Sequence, residues 1–154
     1  MAARLHRNEY MGMVGGALLA VGVFLPWYAT DASNRFANID GARGSQSCFD
    51  VHPILRWLLL AAAVAPFILA YIIARGHDLT WRPGEVTMIV GITAFALILV
   101  NGIILGRPGG DDPHNVDISI EIGYWIGMLG SVCIAFGGFV RQSRGVRSKP
   151  PGVM

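Results

Sequence analysis

The segment that decides the fold is VFLPWYATDA, residues 23–32, where a long apolar run ends and polar residues begin. No Asp, Glu, Lys, Arg or His interrupts the chain between residues 10 and 30. Three interpretations fit such an end: the end of a buried helix, a signal-peptide cleavage site, or the exit of a membrane-spanning helix from the bilayer. The rest of the sequence distinguishes among them.

Three further segments are similar to the first in length and composition. Residues 57–74, 86–106 and 122–140 also lack these five residue types, and each of the four segments has 18 to 21 residues. About 20 apolar residues in a helix cross the roughly 30 Å hydrocarbon layer of a bilayer. Lipid favours helices, because every backbone amide must pair within the segment. We therefore predict an all-α integral membrane four-helix bundle, with spans at about residues 10–28, 54–74, 86–105 and 122–140.

The overall composition favours this prediction over a soluble helical bundle with an apolar core. The 154-residue chain, enough for one domain, is 53% hydrophobic and 14% charged, whereas ordinary soluble proteins are about 25% charged. A soluble bundle would need more polar surface than this sequence provides. The two cysteines, Cys48 and Cys133, are too few for a disulfide framework or a cysteine-rich metal site.

Basic residues are distributed unevenly between the two sides of the predicted bundle. Eight of the twelve lie before the first span, between the second and third spans, or after the fourth: Arg4, Arg7, Arg75, Arg82, Arg141, Arg144, Arg147 and Lys149. Such an excess marks the cytoplasmic side. We therefore predict a multi-pass plasma-membrane protein with both termini cytoplasmic. Residues 1–141 would form the membrane domain, and residues 142–154 a disordered basic cytoplasmic tail.

Aromatic residues lie close to the predicted ends of the spans. Trp and Tyr favour the membrane interface, because their rings prefer hydrocarbon and their polar atoms prefer water. We predict six interface anchors: Trp27, Tyr28, Trp57, Trp81, Tyr124 and Trp125. Residues 26–28 then mark the exit of the first helix. A signal peptide fits less well, because the apolar run exceeds the usual 7–15 residues and bulky rings occupy the cleavage region.

Small residues recur at four-residue steps in the first and fourth spans. They are Gly12 and Gly16 in the first span, and Gly123, Gly127 and Ser131 in the fourth. Without a hydrophobic driving force in lipid, close backbone approach stabilises helix pairs. These strips pack either within one bundle, which is the simpler interpretation, or against a second copy or another membrane protein.

Three polar residues lie at similar depth near the predicted outer leaflet: Arg56, Asn101 and Glu121. Polar residues inside spans are candidates for function. They could form a shallow outward-facing site for a headgroup, an ion or a small ligand. The simpler interpretation is structural, with Arg56 and Glu121 pairing or extending their polar ends to water.

No sequence pattern typical of a catalytic or cofactor site occurs. The four histidines lie outside the spans, so a haem held between facing helices is not expected. The loop GRPGGDDPH, residues 106–114, is rich in turn-forming residues, which explains it more simply than a metal site does. Nucleotide-binding and hydrolase motifs are missing from the sequence. We predict no enzymatic activity, no cofactor, no metal and no nucleic-acid partner.

Three segments carry a resemblance to a group of known proteins: LPWY at residues 25–28, LRWLLLAAA at residues 55–63, and the glycine-rich GYWIGMLGSVCIAFGGFV at residues 123–140. In these segments the chain resembles uncharacterised small four-span membrane proteins of high-GC Gram-positive bacteria. The resemblance extends over most of the chain and concerns pattern and topology. It implies the same architecture and supplies no activity.

Two functional hypotheses follow from the sequence. The first is a non-enzymatic accessory or scaffolding subunit of a larger membrane complex, in contact with lipid and with other membrane proteins or a second copy. The alternative is a small transporter or a ligand- or lipid-binding membrane protein that uses the outer polar residues.

Overall fold

The computed structural model describes residues 7–77, 80–105 and 117–147, with residues 144–147 described by their backbone alone. These ranges contain five α-helices and three short strands. In chain order they are α1 (Arg7–Phe24), β1 (Pro26–Thr30), β2 (Ser45–Ser47), α2 (Cys48–Val51), α3 (Leu55–Ala74), α4 (Pro83–Leu99), β3 (Ile118–Ile120) and α5 (Ile122–Arg147). A π-helical turn, Val100–Ile104, continues α4.

Three helices are long and apolar enough to cross a membrane. They are α3, α4 together with its π-helical turn, and α5 from Ile122 to Ser143. Helix α1 is not among them, because its first turn carries Arg7, Asn8 and Glu9 and it ends after 18 residues at Phe24. The structure is therefore compatible with a membrane protein.

The four long helices form a closed ring in which each contacts two neighbours, in the order α1, α5, α4, α3 and back to α1. Helix α5 packs antiparallel to both α1 and α4. Arg141, late in α5, pairs with Glu9 at the start of α1. Tyr124, early in α5, lies against Gly102 in the π-helical turn after α4. These two contacts fix α5 to α1 at one end of the ring and to α4 at the other.

A three-stranded antiparallel sheet with the order β2-β1-β3 lies at one end of the ring. Tyr28 of β1 lies opposite Gln46 on one side and Ile120 on the other. The described chain is mostly helical, as predicted, but it is not an all-α four-helix bundle, because residues predicted to lie at the end of the first span and between spans form strands. We call the sheet together with α2 the cap, and the opposite end of the ring the far end.

The boundary of the first predicted span, 10–28, is wrong for a local reason. Pro26 has no backbone N–H and disfavours a helical conformation of the preceding residue. Helix α1 therefore ends at Phe24, and residues 26–30 pair as β1 instead of remaining helical. The register between β1 and β2 shifts between Pro26 and Tyr28, which places Trp27 at an irregularity of the ladder.

The predicted disordered tail, 142–154, begins inside a helix. Helix α5 continues to Arg147, because the sequence places its next proline only at residue 150. Residues 148–154 lie outside the described residues.

Candidate functional site

The three polar residues predicted to share an outer site make separate contacts. The Nη1 atom of Arg56 donates to the carbonyl of Phe49 at 2.8 Å, and its guanidinium lies 4.6 Å from the Phe49 ring centroid. Asn101 donates to the carbonyl of Leu97 in its own helix. Glu121 accepts from Ser119 at 3.1 Å.

The contacts described for Arg56, Asn101 and Glu121 therefore do not join them into one site. Asn101 bonds within its own helix and Glu121 bonds to Ser119 two residues away, whereas Arg56 of α3 bonds to Phe49 of α2. The Nε atom of Arg56 is buried and has no hydrogen-bond partner in the described part of the chain. Through its contacts with Phe49, Arg56 holds α2 against the start of α3.

A buried aromatic cluster joins the cap to the helices. Trp27 donates from Nε1 to the carbonyl of Gly22 at 2.7 Å, and its ring meets that of Tyr124 edge-on at 5.3 Å. His52 and Tyr28 complete the cluster, with a contact of 3.3 Å between the Tyr28 hydroxyl and His52 Nε2. We call these four residues the aromatic joint.

The prediction of interface anchors fails for three of the six residues. Trp27, Tyr28 and Tyr124 are fully buried inside the protein, so their rings do not face lipid headgroups. Their polar atoms contact protein groups instead of water, as the Tyr124 hydroxyl shows by donating to the carbonyl of Ile98. Trp57, Trp81 and Trp125 are exposed, as an interface anchor must be.

Burial favours the neutral forms of the Cys48 thiol and the His52 imidazole. Burial raises the pKa of the Cys48 thiol to about 12, although the charge of nearby Arg56 opposes this rise. Burial also lowers the pKa of His52 below its ordinary value. A thiol that remains protonated is a poor nucleophile and a poor metal ligand. Cys48 is therefore suited to packing and not to thiol chemistry.

An ion pair closes the far end of the ring. Arg141 donates from Nη1 to Oε1 of Glu9 at 2.7 Å, and the Glu9 side chain is only 5% exposed against 29% for Arg141. A cavity of about 20 Å³ lies beside the pair, between Gly12, Pro66 and Thr87, and has room for about one water molecule. Sequence reasoning missed this pair, although both residues flank apolar segments predicted to end on the same side.

The predicted packing residues lie at helix contacts inside the ring. A side chain at Gly16 would overlap the backbone of Ala63 in α3, and one at Gly123 would lie 2.6 Å from the carbonyl oxygen of Leu25. Gly12 and Gly127 have more space, with nearest atoms at 3.6 Å and 3.5 Å. Ser131 is fully buried in α5. These residues occupy contacts within the chain, which leaves them unable to form a face for a partner.

Neither the described geometry nor the comparisons indicate a metal centre or a known activity. The described residues contain no group of three or more His, Cys, Asp or Glu side chains that could hold a metal ion. Asp111, Asp112 and His114 of the predicted turn-rich loop lie outside them. The chain matches no protein-family model, no curated protein and no solved structure in the three comparisons made.

Proposed function

We propose that the chain is a multi-pass membrane protein that acts as a non-enzymatic accessory or scaffolding subunit of a larger membrane complex, and that it presents the cap as its contact surface. All four long helices would cross the plasma membrane. The far end and both termini would be cytoplasmic, and the cap would lie outside.

Exposed apolar side chains around the ring support the membrane placement. They occur on every long helix, as Val14, Ile68, Ile92 and Leu129 illustrate. A protein in water rarely exposes apolar patches of this extent, whereas lipid requires them.

Helix α1 would cross with its neighbour α5. The two helices run antiparallel in close contact, since a side chain at Gly15 would lie 2.8 Å from the carbonyl oxygen of Gly130 and one at Gly22 would lie 2.7 Å from the backbone nitrogen of Gly127. Val21 and Phe24 are exposed on α1. Helix α5 would span the bilayer and support α1 along most of its length, although α1 is less apolar than the other long helices.

The rigid attachment of the cap carries the proposal of a scaffold. Trp27 is fully buried, donates to Gly22 in α1, and through its carbonyl accepts from the backbone of Glu121 at the start of α5. The cap is thereby fixed to two helices at once.

The cap also offers a surface on which a partner can bind. Strands β2 and β3 are the edges of the sheet, and edge strands are suited to pairing with another chain. Phe36, in the segment between β1 and β2, exposes 56% of its surface. The alternative role, ligand binding by Arg56, Asn101 and Glu121, has less support because these residues contact different groups.

Extraction of the protein from its own membranes in a mild detergent, followed by native electrophoresis, tests this proposal. We expect a species larger than the monomer that contains a second protein. The variant Phe36→Ala should reduce this species, whereas Ile68→Ala, which changes an exposed apolar residue on α3, should not. Migration as a lone monomer would contradict the proposal.

A further inference from the structure

The contact between α4 and α5 forms a continuous seam that reaches the far end. A side chain at Gly84 of α4 would lie 2.8 Å from the carbonyl oxygen of Gly138, and one at Gly91 would overlap the backbone of Ala135. The two helix backbones therefore approach closely along the seam. Larger side chains cannot enter between them and instead line a groove beside it.

A cavity lined by two arginines lies at the far-end opening of the seam. Arg82, Pro83 and Gly84 contribute from the start of α4, and Arg141 and Gln142 from the end of α5. Arg82 is exposed, and although its carbonyl accepts from the backbone of Glu85 and Val86, its side chain forms neither an ion pair nor a hydrogen bond with the described residues. Arg141 uses only Nη1 in its bond to Glu9, so its other nitrogens remain available there.

The charge of this cavity is positive. Among the described residues that line it, Arg82 and Arg141 are charged and none is a carboxylate; Glu9 pairs with Arg141 from outside the lining, and Glu85 lines a neighbouring cavity with Arg82. Guanidinium groups bind phosphate oxygens with paired hydrogen bonds. The cavity is therefore suited to a phosphate group.

An apolar groove runs along the same seam towards the middle of the helices. Met88 and Ile92 line it from α4, and Val132, Phe136 and Phe139 from α5. Met88 follows Gly84 by one helical turn, and Phe139 precedes Gln142 by three residues, so the groove begins where the arginine cavity ends. All of the side chains that line it are apolar.

We propose that this seam binds one anionic phospholipid, with its phosphate between Arg82 and Arg141 and one acyl chain in the groove. Positive charge at one end and hydrocarbon surface along the remainder match the two parts of such a molecule. Basic cavities between helices at the cytoplasmic face commonly bind anionic headgroups. The proposal rests on the membrane placement proposed above and is independent of the partner at the cap.

Native mass spectrometry of the detergent-purified full chain tests the proposal with two lipids that share the same acyl chains. Phosphatidylglycerol should bind as a single copy and more tightly than phosphatidylcholine. Arg82→Gln should weaken phosphatidylglycerol binding about tenfold, because charge-assisted hydrogen bonds to the phosphate are lost. Arg82→Lys, which keeps the charge, should restore part of the affinity.

Arg75→Gln is the matched control, since Arg75 lies at the same end of the ring but directly after α3, where its guanidinium lies 5.0 Å from the Tyr71 ring centroid. It should leave binding unchanged. Ile92→Trp should fill the groove and weaken binding of the diacyl lipid. Equal binding of both lipids, an equal loss in Arg75→Gln, or displacement of the lipid by soluble glycerol phosphate at comparable concentration would overturn the proposal.

Discussion

Glu9 and Arg141 are 132 residues apart in the chain and form an ion pair of 2.7 Å at the far end of the helix ring. The carboxylate is almost entirely buried, and the guanidinium is about one-third exposed. This pair fixes the start of α1 to the end of α5. It therefore helps to fix the register of α1 against α5.

Replacing Glu9 by Gln should destabilise the fold. The substitution leaves the Arg141 charge without its buried partner, and we expect a loss of about 1–3 kcal/mol, reduced from the full cost of a broken buried pair because Arg141 reaches solvent. Thermal unfolding in detergent measures it. The control Glu85→Gln removes an exposed carboxylate from the first turn of α4 and should change stability by less than about 0.5 kcal/mol. Equal losses of stability in Glu9→Gln and Glu85→Gln would show that the ion pair with Arg141 contributes no more to stability than an exposed carboxylate does.

Replacing Trp27 by Phe should loosen the cap. The variant loses the hydrogen bond to the Gly22 carbonyl and part of the edge-on contact with Tyr124, which together are worth about 1–3 kcal/mol. Limited proteolysis should then cut the segment between β1 and β2 faster than in the original protein. Trp125→Phe alters an exposed ring and should not change the cutting rate; faster cutting in that variant would argue against a specific role of Trp27.

Two glycine substitutions distinguish close backbone contact from helix propensity. Alanine at position 91 would place its Cβ 2.6 Å from the Cα of Ala135, whereas alanine at position 12 would meet Pro66 and Thr87 at 3.6 Å. Gly91→Ala should cost about 1–3 kcal/mol through overpacking. Gly12→Ala should be neutral or stabilise by up to about 1 kcal/mol, because alanine favours helices. Chemical denaturation compares them, and the reverse order would contradict the described seam.

The stability of the protein should fall at acidic pH in part because of His52. Burial lowers the pKa of its imidazole below the ordinary 6.5, so the unfolded chain binds a proton more readily than the folded protein does. The contribution of His52 to stability is fully present above pH 6.5 and is lost as the pH falls through the lowered pKa of its imidazole. Melting temperatures at pH 7.5 and 5.0 should therefore differ less in His52→Gln than in the original protein. The control His77→Gln, which changes an exposed histidine, should show the same difference in melting temperature between the two pH values as the original protein.

Local composition predicted the helices well because each is apolar along most of its length. The predicted span at 54–74 coincides closely with α3, Leu55–Ala74, since polar or turn-forming residues stand on both sides of that apolar run. The end of α5 was misplaced because a change from apolar to basic residues is not a helix stop. Composition indicates whether a segment lies in an apolar or a polar environment, but it indicates less directly whether the backbone is helical.

The sheet and the aromatic joint were missed because their contacts are non-local. Strand β1 pairs with β3, about 90 residues away, and no short-range pattern indicates three-residue strands. Trp27 and Tyr28 fit the interface as well as a buried position, since an aromatic ring with one polar atom suits both. Both rings are buried because their polar atoms have partners inside the protein: the Gly22 carbonyl for Trp27 and the His52 ring for Tyr28. Single-sequence reasoning does not reveal such partners.

If four helices cross the membrane, as we propose, both ends of the chain lie on one side. Topology reporters fused to the two termini in separate proteins test it most directly: a fluorescent protein that matures only in the cytoplasm, and alkaline phosphatase, which is active only outside. We expect fluorescence and no phosphatase activity at both termini. Phosphatase activity at one terminus with fluorescence at the other would show an odd number of crossings and would contradict the account.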